Sequence, residues 1–218
     1  MDLSNVSSLP PHFRKQYHHW LHGLYANSRD YFRKLADEGQ TPSAMVVACC
    51  DSRVTVESLL GPGPGEIFVH RNIANLVPTY LPDGGHHGTG AAIEFGVGAL
   101  KVKHLIVMGH SRCGGVQGCR EMCEGRAPHL EGDSSLVGRW LDEMRPAFQA
   151  IDGVEGEDAR QRAMEFEGVK VSLRNLLGYP VVAEAVKSGQ LSLHGLWIEI
   201  GDGDMEAYDG ATDTFSPL

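Results

Sequence analysis

Two stretches of this chain begin alike and end alike. Ala44–Val54 reads AMVVACCDSRV and His104–Val116 reads HLIVMGHSRCGGV. Each opens as a short apolar run rich in branched residues, the composition of a strand buried on both faces. Each then ends abruptly in thiol, imidazole and charged groups. The pair predicts two parallel strands whose carboxyl ends meet, and in open α/β sheets functional sites form outside those ends.

The rest of the chain alternates in the same sense. Phe13, Tyr17, Trp20, Leu21, Leu24, Tyr31, Phe32 and Leu35 recur at three- and four-residue spacing, so residues 12–36 read as helical, with a break or cap at Asn27-Ser28. Six aromatics on that segment suit an arm lying over its own domain or over a second subunit; an ordinary amphipathic helix fits the pattern equally well. Strands are expected at Met45–Cys49, Glu66–Arg71, His104–Met108 and Leu191–Ile200, the last turning at Gly201–Gly203 into a hairpin with Glu206–Tyr208. Helices are expected at Glu57–Leu60, Thr89–Leu100, Gly114–Cys123, Ser134–Ala150, Ala159–Leu177 and Val181–Lys187. The expected fold is therefore α/β: a mainly parallel central sheet of four parallel strands plus an edge strand, flanked by helices, with residues 1–36 as a helical arm. With no repeat and no low-complexity linker, all 218 residues read as one domain.

Charge narrows the partners. The formal net charge is −9, which disfavours nucleic acid and anionic membrane, since both need a basic footprint. No apolar run reaches the roughly 18–20 residues of a membrane span. The five cysteines are an odd number, and MDLSNVSSLPPHFRKQYHHW has neither the apolar core of a signal peptide nor the Arg-rich character of a transit sequence. A cytoplasmic location is expected, where cysteines serve as metal ligands or core residues more often than as disulfides.

Cys49 ends one strand; His110 and Cys113, three apart across a strand-to-helix turn, follow the other. Two thiolates and an imidazole make three zinc ligands, and a catalytic zinc keeps its fourth position for water or substrate. On an extended strand Cys49, Asp51 and Arg53 share a face, with Cys50 pointing the other way. Two thiolates neutralise the ion, so an acceptor beside its water helps to hold that water as hydroxide. Asp51 is placed for this, and Arg53 can clamp it bidentately. Zinc hydroxide then needs a small electrophile. Spacing alone does not choose one. Cys119 and Cys123 read as ordinary helix residues. The serine-hydrolase pattern that GHSRC suggests at Ser111 fails, because it needs glycine where Cys113 stands.

Together, ACCDSRV, EIFVHRNIANLVP, GTGAAIEFGVGALKVKHLIVMGHSRCGGVQG and VSLRNLLGYPVVAEAVKSGQLSLHG resemble the β-class carbonic anhydrases, the last stretch their plant-type branch, over roughly Gln40–Tyr208. The resemblance implies reversible hydration of carbon dioxide to bicarbonate and a proton by zinc-hydroxide attack, with one zinc per subunit. It implies Cys49, His110 and Cys113 as ligands and Asp51 and Arg53 as the catalytic dyad. Gln40 matches a substrate hydrogen-bonding glutamine, Phe68 and Ile73 match an apolar wall around carbon dioxide, and Gly114 follows the second cysteine as in the family. It also implies a homodimer or higher even-numbered oligomer, with the site at the subunit interface.

Two positions depart from that pattern. Cys50 stands where serine is common, and Phe95 where tyrosine is usual. Val46 and Ile198 replace the tryptophan and tyrosine of the bicarbonate-inhibited branch, so no such switch is expected. His86 and His87, in a Gly-rich loop, are a residue type that can relay protons, although a solvated pair is the simpler reading. Rival functions are a carbon disulfide or carbonyl sulfide hydrolase on the same scaffold and a non-catalytic zinc-binding protein.

Overall fold

The aromatic periodicity of residues 12–36 forms two helices, α1 (Pro11–Trp20) and α2 (Arg29–Glu38), in the computed structural model, which describes residues 3–132 and 134–218. Pro11 opens α1, where its missing N–H costs nothing. A π-helical turn, Leu21–Tyr25, prolongs α1, and the helical path breaks at Ser28. Gly39, at φ 82, ends α2. The rings of Trp20, Tyr25 and Phe32 pack on one another at centroid distances of 5.0–5.9 Å. Phe13, Tyr17 and Leu24 are exposed. This N-terminal unit runs through Gln40, and Thr41–Leu218 form a second compact unit.

The second unit is built on a sheet of six strands: β1 (Ala44–Cys49), β2 (Ile67–Asn72), β3 (His104–His110), β4 (Ser192–Ile198), β5 (Met205–Asp209) and β6 (Thr214–Pro217). Their spatial order is β2-β1-β3-β4-β5-β6. The first four are parallel. The expectation of a single edge strand needs correction, because two antiparallel strands follow β4. The sixth carries little apolar signal: it is short, lies at the sheet edge, and ends in a proline that an edge strand accommodates.

All six residues of β1 are buried, as expected of a central parallel strand. Met45 and Val47 join Ile93, Val97, Leu105 and Val107 in one core. Val46 and Ala48 meet Met108, Leu196 and Ile198 on the opposite face. The helices of this unit are α3 (Val56–Leu60), α4 (Gly88–Ile93), α5 (Gly114–Cys123), α6 (Leu136–Leu141), α7 (Arg145–Ala150), α8 (Glu157–Leu176) and α9 (Pro180–Lys187). Two expected helices are interrupted. The one expected over Ser134–Ala150 breaks into α6, a 3-10 turn and α7, because Pro146 cannot donate a hydrogen bond back into the preceding turn. The one expected over Thr89–Leu100 continues from α4 as a π-helical segment, Glu94–Ala99, which carries Phe95.

Gly109 marks the tightest approach of α8 to the sheet. A Cβ there would lie 2.7 Å from Val169 Cγ2 and 3.5 Å from Trp197 Cδ1. Gly109→Ala is expected to destabilise the fold by about 1–3 kcal/mol through overpacking, read as a lower urea midpoint at unchanged slope. An unchanged midpoint would show that α8 can move aside freely.

Candidate metal centre

Cys49 closes β1, His110 closes β3, and Cys113 stands immediately before α5. All three are buried, and their ligand atoms lie within 4.8 Å of one another; among the described residues no other group of three or more His, Cys, Asp or Glu does this. The two Sγ atoms are 3.9 Å apart. Tetrahedral zinc with Zn–S bonds of about 2.3 Å sets its sulfurs about 3.8 Å apart. His110 Nδ1 donates to the Ser111 carbonyl at 2.9 Å. That fixes the tautomer and leaves Nε2 as the acceptor, and this buried Nε2 has no hydrogen-bond partner. A buried lone pair without a donor is what a metal ligand presents before metalation. The donor set fits zinc.

The ligand electrostatics point the same way. The Cys49 thiol is pulled down to about 4, chiefly by a hydrogen bond from Cys113, with His110 and the amides of Asp51 and Ala74 adding to it against burial. Cys113 moves upward, because it shares its proton with the neighbouring thiolate and is itself buried. The pair therefore surrenders one proton readily and keeps the second until a cation arrives. For His110, burial opposes the charged form, but the contact with Cys49 and the Ser111 carbonyl outweigh it and the net shift is upward.

Asp51 and Arg53 face each other beside this cluster, though not because they share a strand face. The strand ends at Cys49, and both lie in the turn that follows. Arg53 donates its backbone N–H to Asp51 Oδ1 (3.0 Å), Nε to Oδ1 (2.9 Å) and Nη2 to Oδ2 (2.6 Å). The side-chain fork is bidentate. It holds the Asp51 carboxyl far below the usual carboxylate range. Asp51 Oδ2 is 4.0 Å from His110 Nε2, so an ionised acceptor lies beside the ligand set. The Cys50 side chain is exposed and outside the cluster.

Several supporting residues carry no motif. Arg71 donates Nε to the Cys49 carbonyl (2.8 Å) and Nη2 to the carbonyls of Asp51 (2.7 Å) and Val54 (2.8 Å), pinning the turn that holds the dyad. Asn72 braces the left-handed turn at Ala74 and Asn75 by accepting from Leu76 N and donating to Leu76 O. Glu165, only 3% exposed, accepts from Cys113 N (3.0 Å), Gln161 Nε2 (2.8 Å) and Trp197 Nε1 (3.2 Å). Burial pushes the Glu165 carboxyl upward against those three donors. It lies on the buried stripe of α8 with Gly168, Val169, Ser172 and Leu176. A carboxylate on a buried stripe is a signal readable in sequence.

The other expected site residues are dispersed. Ile73 follows Asn72, the register partner of Cys49, and is 41% exposed. Gly114 opens α5 with free space where a Cβ would point. Phe68 pairs with Met45, four residues before Cys49, which places it about 13 Å down the strand. Phe95, 49% exposed, stacks obliquely on Phe68 with ring centroids 5.8 Å apart. Gln40 is exposed at the end of the N-terminal unit. His87 pairs with Asp83 at 2.6 Å in an exposed loop. Ser111 is no free nucleophile: its buried hydroxyl donates to Glu199 Oε1 (2.7 Å) and accepts from Ile200 N (2.9 Å). Cys119 donates to the Leu141 carbonyl and Cys123 accepts from Arg145, as ordinary helix residues do.

The family model for carbonic anhydrase matches residues 44–205, a span that includes every ligand and the dyad. A chloroplastic β carbonic anhydrase of Arabidopsis thaliana is 39% identical over 188 residues, covering 84% of this chain. The chain belongs to the β-class carbonic anhydrases. It spans 60% of the length of that plant relative. A carbonic anhydrase of Pseudomonas aeruginosa is 36% identical over 197 residues, 89% of this chain and 85% of the relative. Among solved structures, the β-carbonic anhydrase CcaA superposes with a TM-score of 0.84 at 31% identity, over 95% of this chain and 91% of that one. One of two tetrameric β-carbonic anhydrases of Sordaria macrospora gives 0.73 at 29% identity, over 90% and 94%.

Within this family the sequence predicts no bicarbonate switch. Val46 and Ile198 are both buried in the apolar cluster on the sheet face opposite Met45 and Val47. Inhibition by bicarbonate below neutral pH is expected to be shallow and non-cooperative in initial-rate measurements; steep cooperative inhibition would contradict this.

Proposed function

We propose that this chain catalyses the reversible hydration of carbon dioxide to bicarbonate and a proton, with one zinc ion held by Cys49, His110 and Cys113. The observation that carries the reading is the placing of an ionised, Arg53-clamped carboxylate 4.0 Å from the unpartnered His110 Nε2 of a buried Cys-Cys-His cluster. When bound, zinc supplies the Lewis acidity that makes water a nucleophile near neutral pH. The chain's residues do the rest. Asp51 accepts a hydrogen bond from the attacking water and aims its lone pair at the substrate carbon. Arg53 keeps Asp51 ionised and turned toward that water. A C–O bond forms as one C=O π bond of carbon dioxide breaks, its electron pair passing to oxygen to give bicarbonate, and the proton lost from water leaves to buffer.

Phe68, Phe95 and Ile73 form the apolar wall that receives carbon dioxide. Phe68 lies about 13 Å along the strand from its own Cys49, and Phe95 packs against it and is half exposed. This separation supports a homodimer or higher even-numbered oligomer in which one copy's wall completes another's site. The tetrameric relatives from Sordaria macrospora are in keeping with such an assembly. The five free thiols support a reducing compartment, and we place the protein in the cytoplasm.

Stopped-flow hydration of carbon dioxide on metal-analysed protein tests the reading, with carbonyl sulfide and carbon disulfide as competing substrates. Zinc-dependent hydration far above buffer, with little turnover of the sulfur compounds, is the expected result. Preferred turnover of either sulfur compound would reassign the substrate. Zinc-loaded protein inert toward all three would indicate a non-catalytic zinc protein.

A further inference from the structure

We propose that Glu165 is a positioning residue for this centre: its carboxylate locks the Arg112–Cys113 peptide, and through it sets both the Cys113 ligand and the Arg53 donor. The inference rests on the zinc reading above.

One planar peptide unit joins Arg112 to Cys113, so its C=O and N–H cannot turn independently. The two ends are gripped from opposite directions. Arg53 Nη2 donates to the Arg112 carbonyl at 3.2 Å, and the Cys113 N–H donates to Glu165 Oε1 at 3.0 Å. Arg112 itself sits at φ 54, a left-handed backbone that a side chain of this length adopts only when its surroundings enforce it. A continuous hydrogen-bonded path thus runs from Asp51 through Arg53 and this peptide to Glu165, and on to Trp197. Trp197 is the register partner of Gly109, the residue before ligand His110. Glu165 therefore ties the turn carrying one ligand to the strand beside the other.

A packing role alone does not call for a carboxylate at this place. Burying an anion is costly unless every group around it is a donor, and an apolar residue fills the same space more cheaply. Here the partners are three N–H donors. Two converge on Oε1, from Cys113 and Gln161, and the indole of Trp197 reaches Oε2. Glutamine is nearly the same shape but accepts on one side only. With its oxygen toward Cys113, its NH2 would confront the Trp197 N–H. Replacing Trp197 with phenylalanine removes that conflict, so the structure specifies a rescue.

The test measures zinc dissociation from wild type, Glu165→Ala, Glu165→Gln and the double variant Glu165→Gln/Trp197→Phe, using a chromogenic chelator, together with absorption spectra of the cobalt-substituted proteins. Loss of a supporting partner typically costs 10–100-fold in metal affinity. Dissociation is therefore expected to be about 10–100-fold faster in both single variants, with altered cobalt–thiolate bands, and to return most of the way to wild type in the double variant. A purely structural role would lower the melting temperature and leave the spectrum of the folded protein unmoved. Wild-type dissociation and spectra in folded Glu165→Gln, or a double variant no better than Glu165→Gln, would overturn the inference. Those two variants decide it alone if Glu165→Ala does not fold. A wild-type chain that binds no zinc removes the parent reading and this one with it; a zinc-binding wild type whose Glu165 variants hold zinc equally well removes only this one.

Discussion

Replacing Cys49 with serine is expected to reduce carbon dioxide hydration to the rate of buffer and to leave the purified protein with little bound zinc. The side chain is buried with its Sγ 3.9 Å from that of Cys113, so the change removes one of the two thiolates that balance the charge of the ion. A serine hydroxyl does not ionise near neutral pH and is a poor zinc ligand. Without the ion, water at the site loses the acidity that zinc would lend it, and no other described group on this chain replaces that acidity. The change has a thermodynamic companion. A ligand that binds only the folded state at a thousand times its dissociation constant stabilises it by about 4 kcal/mol. A chelator should therefore lower the melting temperature of the wild type and leave Cys49→Ser unmoved. Full activity in the serine variant, or a chelator-insensitive wild type, would remove Cys49 from the centre.

Asp51→Asn should separate the ion from the chemistry. The amide cannot accept at both positions of the Arg53 fork, and it offers water an N–H where an acceptor is needed. The hydration rate is expected to fall by about 10²–10⁴-fold, the usual range for loss of a positioned acid–base group, while zinc content stays at the wild-type level. The pH dependence follows from the sign of the shift. Asp51 is held below its unfolded range by the hydrogen bond from Arg53. Its ionised contribution is therefore complete above the ordinary carboxylate pKa and fades only as pH falls through the depressed folded value. Any inflection of the wild-type rate between about pH 5 and 9 thus belongs to another group and should survive in Asp51→Asn. An unchanged rate in the variant, or an inflection that disappears with it, would show that Asp51 does not play this part.

Most of the sheet was legible because buried parallel strands write themselves as uninterrupted apolar runs. Ala44–Cys49 and His104–His110 are such runs, and their ends held the three ligands. What escaped lacked that signature. Thr214–Pro217 is a four-residue edge strand with a single partner strand and one core-packed side chain, Phe215, too few to write an apolar run. The Asp51–Arg53 pair was read correctly as a pair but for the wrong geometric reason, since a turn and not strand alternation brings the two together. Arg71 acts on backbone atoms far away in sequence, and a hydrogen bond to a distant carbonyl leaves no spacing rule; for Glu165 the helical spacing flags a carboxylate on the buried stripe of α8 but not the distant amide it accepts from. Phe68 is named by resemblance as part of the wall, and Phe95 as a departure from the family's tyrosine; that both lie well down the sheet from Cys49 depends on register, which appears only once the strands are paired.

Zinc K-edge X-ray absorption on the purified, active protein tests the central claim most directly. The account predicts about one zinc per chain with two sulfur neighbours at about 2.3 Å and lighter nitrogen or oxygen neighbours at about 2.0–2.2 Å, and loss of a sulfur in Cys49→Ser. Active protein whose zinc has no sulfur neighbours, or that contains no zinc, would contradict it.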